Sequence, residues 1–307
     1  MKLQSILKSR IRIIIGPLVM LSIAFVTGSP AQQGNKPKND SPVAPETRIT
    51  VQDSGTKPST LVSLDITDDR FRAYRISTRD RSENTIDGTK QADKTESNSY
   101  TLAISITPQT VARFLGARVE VQDSSFKEII GLSDDVQIGS DWAIRSAPFR
   151  EPTQADFAVK TCARRVGMIF KEFNIPFPQE PIGTGARWTV TQDYVDFRGI
   201  HIKRTLECKL ESTANADFKV AATVVEDAGQ QKLTRTELAA GESIHLVSLR
   251  LTGTLSATIR KSDFLPVHAK LKQHAELVMR RSGSDINESR ASTIEKEYDL
   301  WKVEKHN

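Results

Sequence analysis

With 307 residues, the chain has room for one large β domain or two modest ones, and it can bury a core without disulfide or metal staples. Its formal charge of +5 invites a nucleic-acid reading, but Lys2, Lys8, Arg10 and Arg12 supply four of the 43 basic residues within an opening segment that has no acid. Setting those four aside leaves 39 bases against 38 acids, so the charge belongs to a targeting segment and no nucleic-acid partner is expected.

That segment has the three parts of a secretory signal: a basic stretch through Arg12, an apolar core from Ile13 to Val26, and the small-residue exit Ser29-Pro30-Ala31. Residues 1–31 are therefore read as a signal peptide cleaved after Ala31, with the periplasm or the extracellular space as destination. The core is shorter than the roughly 20 residues a spanning helix needs, and an uncleaved anchor is the alternative. From Gln32 to about Thr60 the chain is rich in Pro, Ser, Asn, Asp and Lys without a sustained period, which predicts a disordered linker. No later apolar run is long enough for a transmembrane helix, and residues 61–307 are read as a single β-rich domain.

Within that domain, strands are predicted at Leu61 to Ile66, Phe71 to Thr78, Ser99 to Ile106 and Ala117 to Val121, with a hairpin tip at Thr85-Ile86-Asp87-Gly88. Arg70, Arg72, Arg75, Arg79 and Arg81 stand among Asp68, Asp69, Asp80 and Glu83 and read as a salt-laced edge strand that discourages further pairing. A helix of about residues 153–173 follows: Thr153 precedes Asp156 by three, and Phe157, Ala158, Cys162, Val166, Ile169, Phe170 and Phe173 recur at helical spacing. Asn174 and Pro176 end it.

Next comes Gly183-Thr184-Gly185. A phosphate-cradling loop follows a strand and opens a helix, whereas these glycines follow a helix and precede a strand, with no Lys-Ser/Thr behind them. They read instead as a tight backbone approach before Trp188 opens a strand. Period-two runs then place Trp188, Val190 and Tyr194, then Ile200, Ile202, Leu206, Cys208 and Leu210, then Phe218, Val220, Ala222 and Val224 on buried faces. Leu249, Leu251, Gly253, Leu255, Ala257 and Ile259 alternate with polar residues, and Leu265 to Met279 continues the pattern after a turn at Ser262-Asp263, so the two read as a long hairpin. A last strand from about Ser292 to Val303 changes parity at Trp301 and Val303, which predicts a twist or bulge at its end. The fold class is therefore mainly β: a long-stranded curved antiparallel sheet or open barrel with one amphipathic helix packed against it.

The pattern Pro178-x-x-Pro181-Ile182-Gly183-x-Gly185-x-x-Trp188, followed by long alternating strands, Leu251-x-Gly253 and Leu265-Pro266-Val267, resembles an uncharacterised family of secreted bacterial β proteins over roughly Leu61 to Val303. Its long-stranded architecture with a helix looks like the open barrels of periplasmic lipoprotein carriers. The resemblance carries no catalytic residues with it, and a shared fold does not imply a shared function.

Chemistry-bearing motifs are sparse. Gly131-Leu132-Ser133-Asp134-Asp135 begins like a nucleophile elbow but lacks the second glycine. His268 and His274 share an outward parity but lie about 20 Å apart along a strand, too far to share a metal. No catalytic residue, metal ligand or cofactor is assigned. Cys162 and Cys208 fall on apolar faces, and export permits a disulfide between them worth about 4 kcal/mol or leaves two buried thiols. Trp188, Tyr194, Leu206 and Phe218, with Phe170 and Phe173 of the helix, line either a close-packed core or a cavity for an apolar ligand between helix and sheet. The leading expectation is an exported non-enzymatic envelope protein, a binding or structural module whose partner is a lipid, an acyl chain or an envelope protein. The alternative is an extracytoplasmic hydrolase whose site is assembled from distant residues.

Overall fold

The computed structural model describes residues 46–57, 59–62, 71–107, 114–139, 141–146, 157–196, 199–214, 217–233, 242–263, 265–283 and 287–303. The signal segment, most of the linker, Asp68, Asp69, Arg70 and the Thr153/Asp156 cap lie outside them, as do Ser63 to Ile66 of the first predicted strand and the side chains of Phe157 and Ala158. The elements in chain order are β1 (Glu46–Asp53), β2 (Phe71–Ile86), β3 (Thr89–Lys90), β4 (Lys94–Thr107), β5 (Phe114–Ser124), β6 (Ser133–Gly139) and β7 (Ile144–Ser146). The helix α1 (Phe157–Glu172) follows, then β8 (Arg187–Val195), β9 (His201–Ala214), β10 (Asp217–Ala228), β11 (Gln231–Leu233), β12 (Ser243–Arg260), β13 (His268–Ser282) and β14 (Asn287–Val303).

All strands join one antiparallel sheet in the order β1-β8-β9-β10-β12-β13-β14-β2-β4-β5-β6-β7, with β3 paired to β2 and β11 to β12. The sheet is not closed by strand pairing. Its inner face carries the parities read from sequence: Leu251, Leu255, Ala257, Leu271 and Ala275 are buried, as are Trp188, Val190, Leu206, Leu210, Val220 and Val224. α1 lies on this face, where Val166, Ile169, Phe170 and Phe173 join one large core with those strands. Asp87 (φ 48°) and Gly88 (φ 79°) form the predicted tip between β2 and β3, both residues adopting the positive φ that a tight hairpin turn needs.

Beyond β7 the gap in the sheet is bridged by the segment that leaves α1. Ile144 N donates to Asn174 Oδ1 at 3.3 Å, Asn174 Nδ2 donates to the Trp142 carbonyl, and Phe177 N donates to the Asp141 carbonyl at 2.9 Å. Trp142 takes φ 66°, a conformation a bulky residue holds only when its surroundings impose it.

Three expectations are corrected. The linker ends earlier than Thr60, because Glu46–Asp53 is β1 and pairs with β8 from Glu46↔Asp193 to Asp53↔Arg187; a short alternating run at a sheet edge gives little periodic signal. The arginine-bearing strand is no edge: β2 pairs β14 from Ala73↔Val303 to Ile86↔Arg290 and pairs β4 on its other side. Arg75, Arg79 and Arg81 face solvent, whereas Arg72 and Asp80 face inward. The end of β14 neither bulges nor breaks register, since His268↔Trp301 and Arg75↔Trp301 continue both ladders. Trp301 belongs to the outer face, where the Arg75 guanidinium lies 5.9 Å from its ring centroid.

The Gly183-Thr184-Gly185 turn is a backbone crossing. The chain leaving β1 runs over it, with Gly183 N donating to the Ser54 carbonyl at 2.8 Å, Thr56 N to Thr184 O at 2.9 Å, and Thr60 paired with Ile182. A Cβ on Gly183 would sit 1.7 Å from the Thr56 carbonyl oxygen, and Gly55 (φ 77°) meets the same turn from the other side. The Gly183→Ala variant is therefore expected to lose about 2 kcal/mol or more, since backbone and not a movable side chain must give way. Denaturant unfolding measures this, and an unchanged midpoint would refute the crossing.

Candidate functional site

Inward positions on a half-buried sheet are normally apolar, yet a row of them here is charged. Arg204 on β9 stands directly opposite Glu226 on β10. One inward position along, Gln273 on β13 faces Lys296 on β14, which faces Asp80 on β2, which faces Glu96 on β4. Between the two halves of this belt lies Gly253, where a Cβ would approach the Lys272 carbonyl oxygen to 2.5 Å and Gln273 Cγ to 3.0 Å. The belt divides the inner face: the large core with α1 lies to one side, and a second cluster of Ile200, Ile202, Leu246, Leu249, Leu277 and Met279 lies to the other.

The carboxyl end of α1 is fastened to this belt. Arg204, fully buried, donates from Nη1 to the Lys171 carbonyl at 2.6 Å and from Nη2 to the Glu172 carbonyl at 3.1 Å. It thus caps carbonyls that have no partner within the helix and sets a cation at the negative end of the helix dipole. Gln273 Nε2 donates to Glu172 Oε2 at 2.6 Å. Glu226 Oε1 lies 3.5 Å from both Lys171 Nζ and Arg204 Nε. Lys171 Nζ also stands 2.9 Å from the centroid of the Tyr194 ring.

Burial dominates the electrostatics. It lowers the Lys171 amine to about 8 despite Glu226. It works to raise the Glu226 carboxyl, but Lys171 and Arg204 outweigh it and hold that group below its ordinary value. Asp80 is raised by burial against the pull of Lys296 and Arg165, and burial pushes Tyr100 up to about 12.

The six residues singled out for an apolar ligand separate into two groups. Trp188, Leu206, Phe218, Phe170 and Phe173 are all buried in the large core. Trp188 Nε1 donates to the Pro176 carbonyl at 2.9 Å, and Phe177 packs against Trp188, Phe218 and Trp142 with centroids 5.4, 6.3 and 6.0 Å away. Tyr194 packs with the second cluster across the belt. Cys162 on α1 and Cys208, which lies opposite Trp188, are two thiols, and burial raises that of Cys208 to about 12.

Sequence reasoning missed Arg204, Glu226, Gln273 and Lys296, and read Asp80 as part of a salt-laced edge. Arg204, Glu226, Gln273 and Lys296 are each a charged or amide residue between apolar neighbours on the buried parity, and that break in alternation is the signal that marks them; Asp80 sits between Thr78 and Ser82 and carries no such mark. Outside the belt, His268 and His274 face solvent beside Asp299 at 3.3 Å and Glu276 at 3.6 Å. Ser133 opens β6 and accepts from Arg118. No group of three or more potential metal ligands forms among the described residues, and no described helix is long and apolar enough to cross a membrane. No protein-family model matches the chain, and a comparison with curated proteins finds no match.

Proposed function

We propose that the chain is an exported, non-catalytic binding module of the bacterial envelope, and that an apolar ligand such as a lipid or acyl chain is held between α1 and the inner face of the sheet when α1 lifts. The observation that carries this reading is the way α1 is fastened. A helix that only completes a core gains most from apolar contact, because a buried ion pair is often no more stable than the hydrophobic residues that would replace it. Here Arg204, Glu226, Lys171, Glu172 and Gln273 hold the helix end through polar groups that water can satisfy once α1 lifts, while Phe170, Phe173, Trp188, Leu206 and Phe218 offer an apolar wall. An open sheet plugged by one helix also accords with the resemblance to lipoprotein carriers. Export rests on the basic stretch, apolar core and Ser29-Pro30-Ala31 exit.

The test is native mass spectrometry of the protein purified from its own envelope fraction, with lipid extraction and amino-terminal sequencing. A retained lipid or acyl chain and a terminus near Gln32 are the expected results. A protein that carries no lipid and takes up no fluorescent fatty acid overturns the ligand reading, and a terminus at Met1 overturns cleavage.

A further inference from the structure

The proposed site contains a buried polar cluster that the fastening of α1 does not use. Arg165, about two turns before the carboxyl end of α1, points at the sheet where Thr78, Asp80, Asn98 and Tyr100 converge. Register explains the convergence: Thr78 on β2 pairs with Asn98 on β4, while Asp80 lies one inward position further along β2 and Tyr100 one inward position further along β4, to opposite sides of that pair. With its amide oriented to satisfy both of its polar atoms, Asn98 accepts from Arg165 Nη1 at 3.2 Å. Around that bond Thr78 Oγ1 and Asp80 Oδ1 have no hydrogen-bond partner among the described residues, and Tyr100 Oη and Arg165 Nη2 have only each other. Thr78, Asp80 and Tyr100 are only 6%, 4% and 1% exposed. Buried polar atoms are nearly always fully satisfied, so this under-satisfied cluster points to a polar guest.

We propose that this cluster binds the carboxylate head of an apolar-chain acid, an inference that rests on the reading of α1 and the sheet as an apolar-ligand site. The donors fit: Arg165 Nη2 and the hydroxyls of Thr78 and Tyr100 present N–H and O–H groups to a single anionic oxygen pair. The charge fits as well. Arg165, Lys296, Lys171 and Arg204 supply four positive charges against the three carboxylates of Asp80, Glu172 and Glu226, while Glu96 at the rim is tied to Lys94 at 2.7 Å. One monoanion neutralises the remainder, which a buried site requires. Tyr100 keeps its proton at neutral pH and can donate it to the guest.

The experiment measures binding of a fluorescent long-chain fatty acid, its methyl ester and the matching alcohol to the purified protein. The acid is expected to bind about tenfold or more tightly than either neutral analogue, as charge-assisted hydrogen bonds in a buried site confer. Arg165→Gln should bring the acid to the affinity of the ester, and Thr78→Val, which keeps the side-chain shape, should weaken the acid about threefold or more and leave the ester unchanged. If Arg165→Gln does not fold, the wild-type comparison and Thr78→Val decide the matter. Equal binding of acid, ester and alcohol overturns the head-group assignment and leaves the apolar-ligand reading standing. Binding of none of the three overturns both.

Discussion

Replacing Arg204 by alanine is expected to destabilise the protein by about 3–5 kcal/mol, the range for removing one partner of a buried ionic network. The guanidinium is fully buried, and its loss uncaps the Glu172 carbonyl, leaves the Lys171 carbonyl with the Asn174 amide alone, and takes from Glu226 one of its two close cations. Arg204→Met combined with Glu226→Leu should recover much of the loss, because the pair then vanishes without stranding a charge. The network also sets a pH dependence. Glu226 is held below its ordinary value of 4.5 in the folded protein, so its contribution is fully present above that value and is lost as pH falls below it. Asp80 works the other way: its folded-state value is raised, so its buried charge is a burden at neutral pH that protonation relieves as pH falls. Glu226→Gln should therefore flatten the acid loss of stability, and Asp80→Asn should steepen it. Denaturant midpoints across a pH series measure both. A cost below about 1 kcal/mol for Arg204→Ala would show that α1 is held by its apolar stripe alone.

The second large effect is expected at Trp188. Its ring is fully buried, packs 5.4 Å from Phe177, and lies between Val51 of β1 and Cys208 of β9 in the ladder. Trp188→Ala should cost about 3–5 kcal/mol through lost burial and the cavity left behind. Trp188→Phe keeps most of the packing but strands the Pro176 carbonyl, and should cost about 1–2 kcal/mol. Because Phe177 carries the hydrogen bond to Asp141 across the gap beyond β7, the alanine variant should also loosen that seam. Hydrogen exchange at the Phe177 and Ile144 amides is the measurement, with faster exchange expected there than in β12 to β14. Unaltered protection at those amides would separate the aromatic cluster from the seam.

The reading of local pattern and the pairing of distant strands parted company at identifiable residues. Period two is a local property, so the burial of Leu249, Leu251, Leu255 and Leu271 was legible directly. The same strand β12 begins earlier, at Ser243, with Ile244 and Leu246 buried on the even parity. A bulge between Leu246 and Ser248 reverses the parity there, and the run appeared to start only after it. The outward Trp301 was misread for the related reason that an apolar residue on the solvent parity looks like a break until Arg75 is seen covering it.

By itself the sequence determined the strand-rich class, the one amphipathic helix and its end before Pro176, the buried parity of the long strands, and the glycine turn as a close approach. Each depends on residues a few positions apart. The tertiary structure decided that β14 pairs with β2 and β1 with β8, which turned a supposed edge into the middle of the sheet. It also decided the charged belt. Arg204, Glu226, Gln273, Lys296 and Asp80 lie on five separate strands, and only cross-strand register gathers them beneath α1. Alternation fixes which face a side chain takes, but hydrogen bonding between strands far apart in the chain fixes its neighbours, and the chemistry of this interior lies in those neighbours.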